Sequence, residues 1–307
     1  MDRDGRNLLI GAASNLWRWA GSQLGLAKPA KKAVRPRTNL REIAGAVRWR
    51  ATRGSFEQRL VYERLMAEHV PPEKRRDLKT PAYLRLDLRE RFPRLVASGA
   101  SADPGALYGP FRDRRAAAAA RDALHKLLPL RPCDYTFEPD PALPLGLGCV
   151  YAQVRSCSAP CLVRASEADY ARLARDAALL LGDPSQRPDA LAERVPPYVA
   201  AAEADALVVE RSKGGVMLHP IHAGAVLDDE VRQAPDEDLE RALAQLRFAP
   251  GKGGGSDAPW ILQWLRGKRR AAAYLVVDGS AKRSPSALAN AVRSALAAAE
   301  RVSPAAS

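Results

Sequence analysis

The sequence has no apolar run long enough to cross a membrane, because a spanning helix needs about eighteen or more consecutive apolar residues and no such stretch occurs. It also lacks the uninterrupted apolar segment of a secretory signal peptide. Asp2 and Asp4, together with Trp17 to Trp19, stand where that segment should lie. We therefore expect a soluble protein of the reducing cytoplasm that has no membrane partner.

Acidic residues are in short supply. The 307 residues include 35 Asp and Glu against 48 Lys and Arg, which gives a net charge of +13. The excess is mainly arginine, whose planar guanidinium binds phosphate with two hydrogen bonds, so the charge favours nucleic acid as a partner. The alternative is a composition bias towards Arg and Ala throughout the chain. The length suffices for two domains, and the 47% hydrophobic content argues against global disorder.

Cysteine is also scarce, and all four cysteines fall in one short stretch. They are Cys133, Cys149, Cys157 and Cys161, with 15, 7 and 3 residues between successive sulfurs. Four thiolates complete a shell for zinc or for a [4Fe–4S] cluster. Two disulfides would need an oxidising compartment, and four buried apolar cysteines without a ligand are the third alternative. The spacing alone does not separate iron–sulfur from zinc.

The sequence around the cysteines resembles a known family. Residues 108–111 (Tyr-Gly-Pro-Phe), residues 127–133 (Leu-Leu-Pro-Leu-Arg-Pro-Cys), residues 155–161 (Arg-Ser-Cys-Ser-Ala-Pro-Cys) and a following helix with Tyr170 resemble the excinuclease UvrC and its short relative Cho. The resemblance covers residues 80–182. It implies that the four cysteines hold a [4Fe–4S] cluster, with zinc as the alternative, and that the protein acts in nucleotide excision repair with DNA and other repair proteins as partners.

The N-terminal segment resembles half of a second motif. Residues 7–11 predict a strand, and residues 14–16 predict the cap of a short helix through Trp19. This is similar to the second half of the GIY-YIG nuclease motif, whose first strand would precede residue 1. Leu9, Ala12 and Trp19 stand where that family has tyrosine, lysine and arginine. Leucine and tryptophan supply neither the proton transfer nor the charge stabilisation that such catalysis needs.

A basic segment follows this motif. Residues 31–53 contain eight Lys or Arg residues and one acid, Glu42. Trp49 lies between two arginines, as in surfaces that contact phosphates and stack on a base. A solvated loop is the competing interpretation. The residues assigned to DNA binding are Arg35, Arg37, Arg48, Trp49, Arg50 and Arg53.

One glutamate is a candidate for catalysis. Ser55 and Gln58 predict a capping box for a helix that continues to about Glu68. The helix resembles the one that carries the metal-binding glutamate of the nuclease, which places Glu63 at that position, where Mg²⁺ or Mn²⁺ would bind in an active enzyme. The family has asparagine where this chain has Arg75. We interpret Glu63 as vestigial.

We predict an α/β (α+β) fold in three parts. These are a degenerate GIY-YIG-like domain at residues 1–78, a UvrC-type hairpin with the cysteine-cluster region at 79–183, and a small α/β module at 184–307. The predicted elements after residue 76 are strands at 77–86 and 92–96, helices at 113–128 and 166–181, a helix through 200–204, strands at 206–210 and 216–219, a helix at 236–246, a strand at 272–277 and a final helix from 284 to 302.

Two further signals in the last part predict structure rather than chemistry. Residues 252–256 (Lys-Gly-Gly-Gly-Ser) do not end in the Gly-Lys-Ser/Thr triplet of a phosphate loop, which favours a linker. His219 and His222 have no evident carboxylate partner in the sequence, which favours structural roles.

The sequence leaves three functions open. The first is an active metal-dependent DNA endonuclease with a mis-assigned start. The second is a DNA-binding homologue whose nuclease activity is lost or strongly reduced, and the substitutions at Leu9, Trp19 and Arg75 favour it. The third is a non-catalytic iron–sulfur protein that binds a partner or senses redox state.

Overall fold

The computed structural model describes residues 1–26, 40–75, 78–99, 105–143, 149–249, 256–267, 272–277 and 284–302. The chain divides into two compact units, Met1–Asp77 and Leu78–Ser307. The predicted DNA-binding residues Arg35 and Arg37 lie outside the described residues, as do residues 252–255 of the predicted linker 252–256. Across the described ranges, no helix combines the length and the apolar character that a membrane span requires.

The first unit contains two α-helices within its described residues. Helix α1 spans Leu16–Gln23, and the side chain of Asn15 caps it by accepting a hydrogen bond from the N–H of Arg18. Helix α2 spans Ser55–His69, and a short 3-10 turn at Pro72–Lys74 follows it. Among the described residues of this unit, Phe56, Glu57 and Leu60 of α2 are the buried ones, so the unit has a small core.

Two predictions for the first unit are wrong. Residues 7–11 form no strand, since no other strand among the described residues of this unit pairs with them. The predicted capping box at Ser55 is wrong, because Gly54 is the N-cap and makes no side-chain cap hydrogen bond. Glu57 accepts a hydrogen bond of 2.6 Å from the N–H of Arg53, which joins the helix to the residue before its N-cap.

The second unit begins with an antiparallel sheet. Strands β1 (Ala82–Leu86), β2 (Leu95–Ser98), β3 (Ala106–Phe111) and β4 (Ala200–Ala201) lie in the order β2-β1-β3-β4. The predicted hairpin is therefore confirmed, with Leu86 of β1 opposite Leu95 of β2. The predicted helix through residues 200–204 is wrong, because Ala200 pairs with Gly109 of β3.

Three helices contribute buried residues to the first core beside this sheet, namely α3 (Arg114–Leu127), α5 (Glu167–Gly182) and α6 (Asp189–Ala192). The short helix α4 (Val150–Gln153) contributes none, and 3-10 turns lie at Pro160–Leu162 and Pro184–Gln186. Asp113 caps α3 and Ser166 caps α5, each with its side-chain oxygen, as expected of these residues. The core extends past residue 183, where the sequence analysis predicts a domain boundary, because Leu191, Val195 and Val199 are part of it.

A buried arginine closes the end of α5. The guanidinium of Arg187 donates hydrogen bonds to the carbonyls of Leu180 and Leu181 at the end of the helix and to those of Val195, Pro196 and Val199. Burial lowers its pKa to about 10, while the charge of Asp183 raises it. The side chain therefore remains a cation at neutral pH and joins the helix to the chain that leads into β4.

A second antiparallel sheet completes the unit. Its strands are β5 (Asp205–Ser212), β6 (Gly215–His222), β7 (Ala225–Val226), β8 (Arg232–Ala234) and β9 (Ala272–Val277), in the order β7-β6-β5-β9 with β8 also paired to β6. The accompanying helices are α7 (Leu239–Ala244), α8 (Ala258–Arg266) and α9 (Pro285–Val302), with a 3-10 turn at Asp228–Glu230. Leu288, Val292 and Leu296 of α9 are buried in the second core, as the sequence predicts.

Candidate functional site

The four cysteines lie in loops and short turns between α3 and α5. Cys133 follows α3, Cys149 immediately precedes α4, and Cys157 and Cys161 flank a tight turn. Two backbone hydrogen bonds fix this turn. The N–H of Ser158 donates to the carbonyl of Pro129 (2.8 Å), and the N–H of Asp140 donates to the carbonyl of Cys161 (3.0 Å). The turn is thereby held against the segments on either side of Cys133.

The two thiols of the tight turn are buried, whereas Cys133 and Cys149 are half-buried. The N–H of Ala159 donates a hydrogen bond of 3.3 Å to Sγ of Cys157. The backbone of Ala159 is left-handed, with a φ of +53°. An N–H directed at sulfur stabilises a thiolate rather than a thiol.

The two buried thiols, Cys157 and Cys161, are affected electrostatically by the other cysteines. Burial raises the pKa of Cys157 to about 11, and negative charge on Cys133, Cys149 and Cys161 raises it too. Four thiolates so close together need a cation to offset their charge, and this donor set suits iron or zinc. The positions of the four cysteine side chains fit a metal site less well than their chemistry does. Among the described residues, no three His, Cys, Asp or Glu side chains are arranged to hold a metal ion.

A tyrosine and an arginine join the cysteine segment to the rest of the unit. The hydroxyl of Tyr170, a buried residue of α5, accepts a hydrogen bond from the N–H of Arg131 and donates one to the carbonyl of Pro93. The Arg131 side chain donates to the carbonyls of Phe92, Cys133 and Tyr135. These bonds determine the path of the backbone on both sides of Cys133.

Contacts between aromatic rings also hold the segment that follows Cys133. Phe137 stacks on Phe92 with ring centroids 5.3 Å apart, and Tyr135 stacks on Phe137 at 6.3 Å. Phe92 also meets the ring of Tyr170 edge-on at 5.5 Å. The guanidinium of Arg131 lies 5.3 Å from the centroid of Phe137. The segment after Cys133 is therefore packed, although it contains neither helix nor strand.

The first unit contains a cavity of about 680 Å³. Leu9, Ala12 and Trp19, the residues that the sequence comparison with the GIY-YIG motif singled out, all line it. The indole of Trp19 lies against Gly11, where a Cβ atom would be 2.5 Å from the ring. Glycine is therefore required at position 11 for this ring position. Gln58 of α2 donates a hydrogen bond of 3.2 Å to the carbonyl of Ala13 and fixes the same wall.

The candidate catalytic glutamate is engaged in an ion pair. A carboxylate oxygen of Glu63 lies 2.6 Å from the guanidinium of Arg59, one turn earlier on α2. Arg75 donates hydrogen bonds to the carbonyls of Val70 (2.6 Å) and Ala67 (2.8 Å) at the end of the same helix. An arginine at position 75 thus caps α2, as basic side chains do at helix C-termini.

Four of the predicted DNA-binding residues lie among the described residues, and all four line the cavity. Arg48, Trp49, Arg50 and Arg53 are exposed, and Trp49 is 68% exposed. Arg53 is additionally 3.9 Å from the carboxylate of Glu57. The cavity wall therefore combines cationic and aromatic side chains.

Both histidines of β6 have carboxylate neighbours that the sequence does not reveal. Nδ1 of His222 lies 2.6 Å from a carboxylate oxygen of Asp205, and Nε2 of His219 lies 3.6 Å from Glu210. Each pair joins β5 to β6, and Asp205 and His222 face each other in the strand register. The expectation that these histidines lack carboxylate partners is wrong, because the pairing of two strands brings distant residues together.

Comparison with known proteins identifies the region around the cysteines. Residues 82–180 match the family described as UvrC/Cho excinuclease, middle domain. A UvrABC system protein C from Geobacter sp. (strain M21) is 30% identical over 177 residues, which are 57% of this chain and 26% of that relative. Those from Novosphingobium aromaticivorans and Syntrophotalea carbinolica are 36% and 37% identical, over 44% and 42% of this chain and 20% of each relative.

The chain spans about a quarter of the length of these relatives. No solved structure matches it. The family match begins at the first residue of β1 and ends within α5, so it includes strands β1, β2 and β3 of the first sheet, α3 and all four cysteines, but not β4. Residues 82–180 are therefore similar to the middle domain of the UvrC/Cho excinuclease family.

Proposed function

We propose that this chain is a DNA-binding protein of nucleotide excision repair whose nuclease activity is lost or strongly reduced. The relatives are named as protein C of the UvrABC system. A chain with the same middle domain would act on DNA together with other excision-repair proteins. Its own contribution would be to bind DNA rather than to cut it.

One observation carries this proposal. The cavity of the first unit is lined both by Leu9, Ala12 and Trp19 and by Arg48 and Trp49. The first three residues cannot transfer a proton or stabilise a developing charge as tyrosine, lysine and arginine do. The last two retain the means to bind a phosphate and to stack on a base. The wall therefore supports binding without the chemistry of cleavage.

The ion pair of Glu63 supports the same conclusion. A carboxylate that binds Mg²⁺ or Mn²⁺ for hydrolysis needs open oxygen atoms directed at the metal and its substrate. Here the guanidinium of Arg59 holds an oxygen of Glu63 at 2.6 Å. An arginine in this position competes with the divalent cation for the carboxylate.

We also propose that Cys133, Cys149, Cys157 and Cys161 hold a [4Fe–4S] cluster, with zinc as the alternative. The charge interaction of Cys133 and Cys149 with the buried thiols of Cys157 and Cys161, and the N–H directed at Cys157, support this assignment. A bound cluster would offset the charge of the thiolates and join the three loops. The hydrogen bonds of Arg131 and Tyr170 would orient the loop that carries Cys133.

Binding to a labelled 20-bp duplex, measured by fluorescence anisotropy at several salt concentrations, tests the proposal. The affinity should fall steeply with salt. Arg48→Gln/Arg50→Gln should reduce the slope of log K against log [salt] by about 2, since each lost phosphate contact contributes about 0.9.

The matched control is Arg114→Gln/Arg115→Gln, which removes two exposed charges from α3. An equal effect of both variants would show that only net charge matters and would contradict the assigned surface. Wild-type protein that binds no DNA at low salt would contradict DNA binding and favour the iron–sulfur sensor.

A further inference from the structure

We infer that the cavity of the first unit binds a single unpaired nucleotide of a DNA strand. The base would lie on the aromatic wall and the adjoining phosphates at the arginines. This inference rests on the proposed DNA-binding function and adds to it the form of DNA that is bound. A protein that binds duplex DNA by charge alone does not need a cavity.

The size of the cavity suits a small aromatic ligand. Its volume of about 680 Å³ falls in the range of small-molecule sites, which is about 300–1,000 Å³. A nucleotide within a paired duplex is covered on both faces by its neighbours and cannot enter such a cavity. An unpaired base has two free faces and can be turned out of the strand.

Three aromatic side chains line the cavity, namely Trp19, Trp49 and Tyr62. Trp19 has a fixed position, because its ring lies against the backbone at Gly11. Trp49 is 68% exposed, so its ring is accessible to a base that enters the cavity. Base stacking on such rings is independent of sequence, since every base has a flat aromatic face.

Cationic groups accompany the rings. Arg48 and Arg50 flank Trp49 in the sequence, and both are exposed and line the cavity. Phosphates lie on either side of each base in a strand, so two guanidinium groups beside one indole match that arrangement. An uncharged apolar occupant would leave these groups unused, which favours a nucleotide over an apolar peptide.

The experiment compares three labelled 20-bp duplexes: one fully paired, one with a single bulged thymidine and one with a bulged abasic site. Wild-type protein should bind the bulged thymidine at least about fivefold more tightly than the paired duplex, as expected for one stacked base. The abasic bulge should lose that preference. Trp fluorescence should be quenched only by the bulged thymidine.

Two variants locate the base. Trp19→Leu and Trp49→Leu should each reduce the preference for the bulge to less than about twofold, measured as the ratio of the affinities for the bulged and the paired duplex. Trp49 is exposed, so its replacement keeps the test usable if Trp19→Leu does not fold. The matched control is Trp17→Leu on the same helix α1 as Trp19, where the side chain is 87% exposed. This control should retain the full preference.

The possible failures are distinguishable. Equal affinity of wild type for paired and bulged duplexes would overturn the cavity inference and leave DNA binding intact. A bulge preference that survives both cavity variants, or that Trp17→Leu abolishes as well, would also overturn it. Absence of binding to all three duplexes would overturn the proposed function itself. A monomer–dimer equilibrium that Trp49→Leu abolishes would overturn the inference too, because it would show that a second copy of the chain covers this wall.

Discussion

The hydroxyl of Tyr170 accepts a hydrogen bond of 2.7 Å from the N–H of Arg131 and donates one of 2.9 Å to the carbonyl of Pro93. One side chain of α5 thus joins the loop after β1 to the segment that carries Cys133. This position explains why a tyrosine, and not a phenylalanine, follows the cysteines on this helix. It links the fold of the middle domain to its proposed metal centre.

Tyr170→Phe should destabilise the second unit by about 1–3 kcal/mol, because the variant leaves the buried carbonyl of Pro93 and the half-buried N–H of Arg131 without their partner. The measurement is urea denaturation followed by circular dichroism. Tyr135→Phe is the control, since Tyr135 is 51% exposed and its replacement should change stability by less than about 0.5 kcal/mol. Similar values for the two variants would contradict the role given to Tyr170.

Arg187→Met should cost about 3 kcal/mol or more, because five carbonyls lose a common donor and several of them are buried. Arg187→Lys should also destabilise, since one ammonium cannot reproduce the planar arrangement of donors. Thermal unfolding measures both effects. Arg172→Met on the exposed face of α5 should be nearly neutral, and a comparable loss there would contradict this account.

His125 predicts a pH dependence of stability. Burial lowers the pKa of this side chain on α3 from its usual value of 6.5, nearby Arg121 lowers it further and Asp122 raises it. The unfolded chain therefore takes up a proton at a higher pH than the folded chain does. Stability should fall as the pH drops below about 6.5.

The test compares melting temperatures at about pH 7.5 and about pH 5.5, on either side of the unfolded pKa. His125→Leu should lose less stability across this interval than wild type, whereas Lys126→Gln, an exposed neighbour on α3, should behave as wild type does. An unchanged difference in His125→Leu would assign the pH dependence to other groups.

Protein purified without oxygen should be brown, with broad visible absorption and bound iron. Cys157→Ser should lose both, while Ser158→Ala in the same turn should retain them. Iron analysis and visible spectroscopy provide the measurement. Colourless protein that contains stoichiometric zinc would show that the bound metal is zinc and not an iron–sulfur cluster. Protein without metal would contradict ligation by these cysteines.

Local signals in the sequence predict several elements well. Ser166 and Asp169 define the start of α5, and Leu288, Val292 and Leu296 define the buried face of α9, because both patterns depend on residues only a few positions apart. The motif around the cysteines identifies the middle domain for the same reason, since its parts are close in sequence.

Contacts between distant residues were not predictable. Ala200 and Ala201 have the composition of a helix, yet pairing with β3 makes them a strand. The pair of Asp205 and His222 depends on the register of β5 and β6, which no local pattern specifies. The cavity that unites Trp19 with Trp49 likewise requires the folded first unit.

The most direct test of the central claim is a nicking assay with supercoiled plasmid and with damaged duplex, in Mg²⁺ and in Mn²⁺, under conditions where binding is shown in parallel. The account predicts that wild-type protein binds DNA and produces no nicks above those of Glu63→Gln. Nicking by wild type that Glu63→Gln abolishes would contradict the account, because it would show that Glu63 still binds a catalytic metal ion.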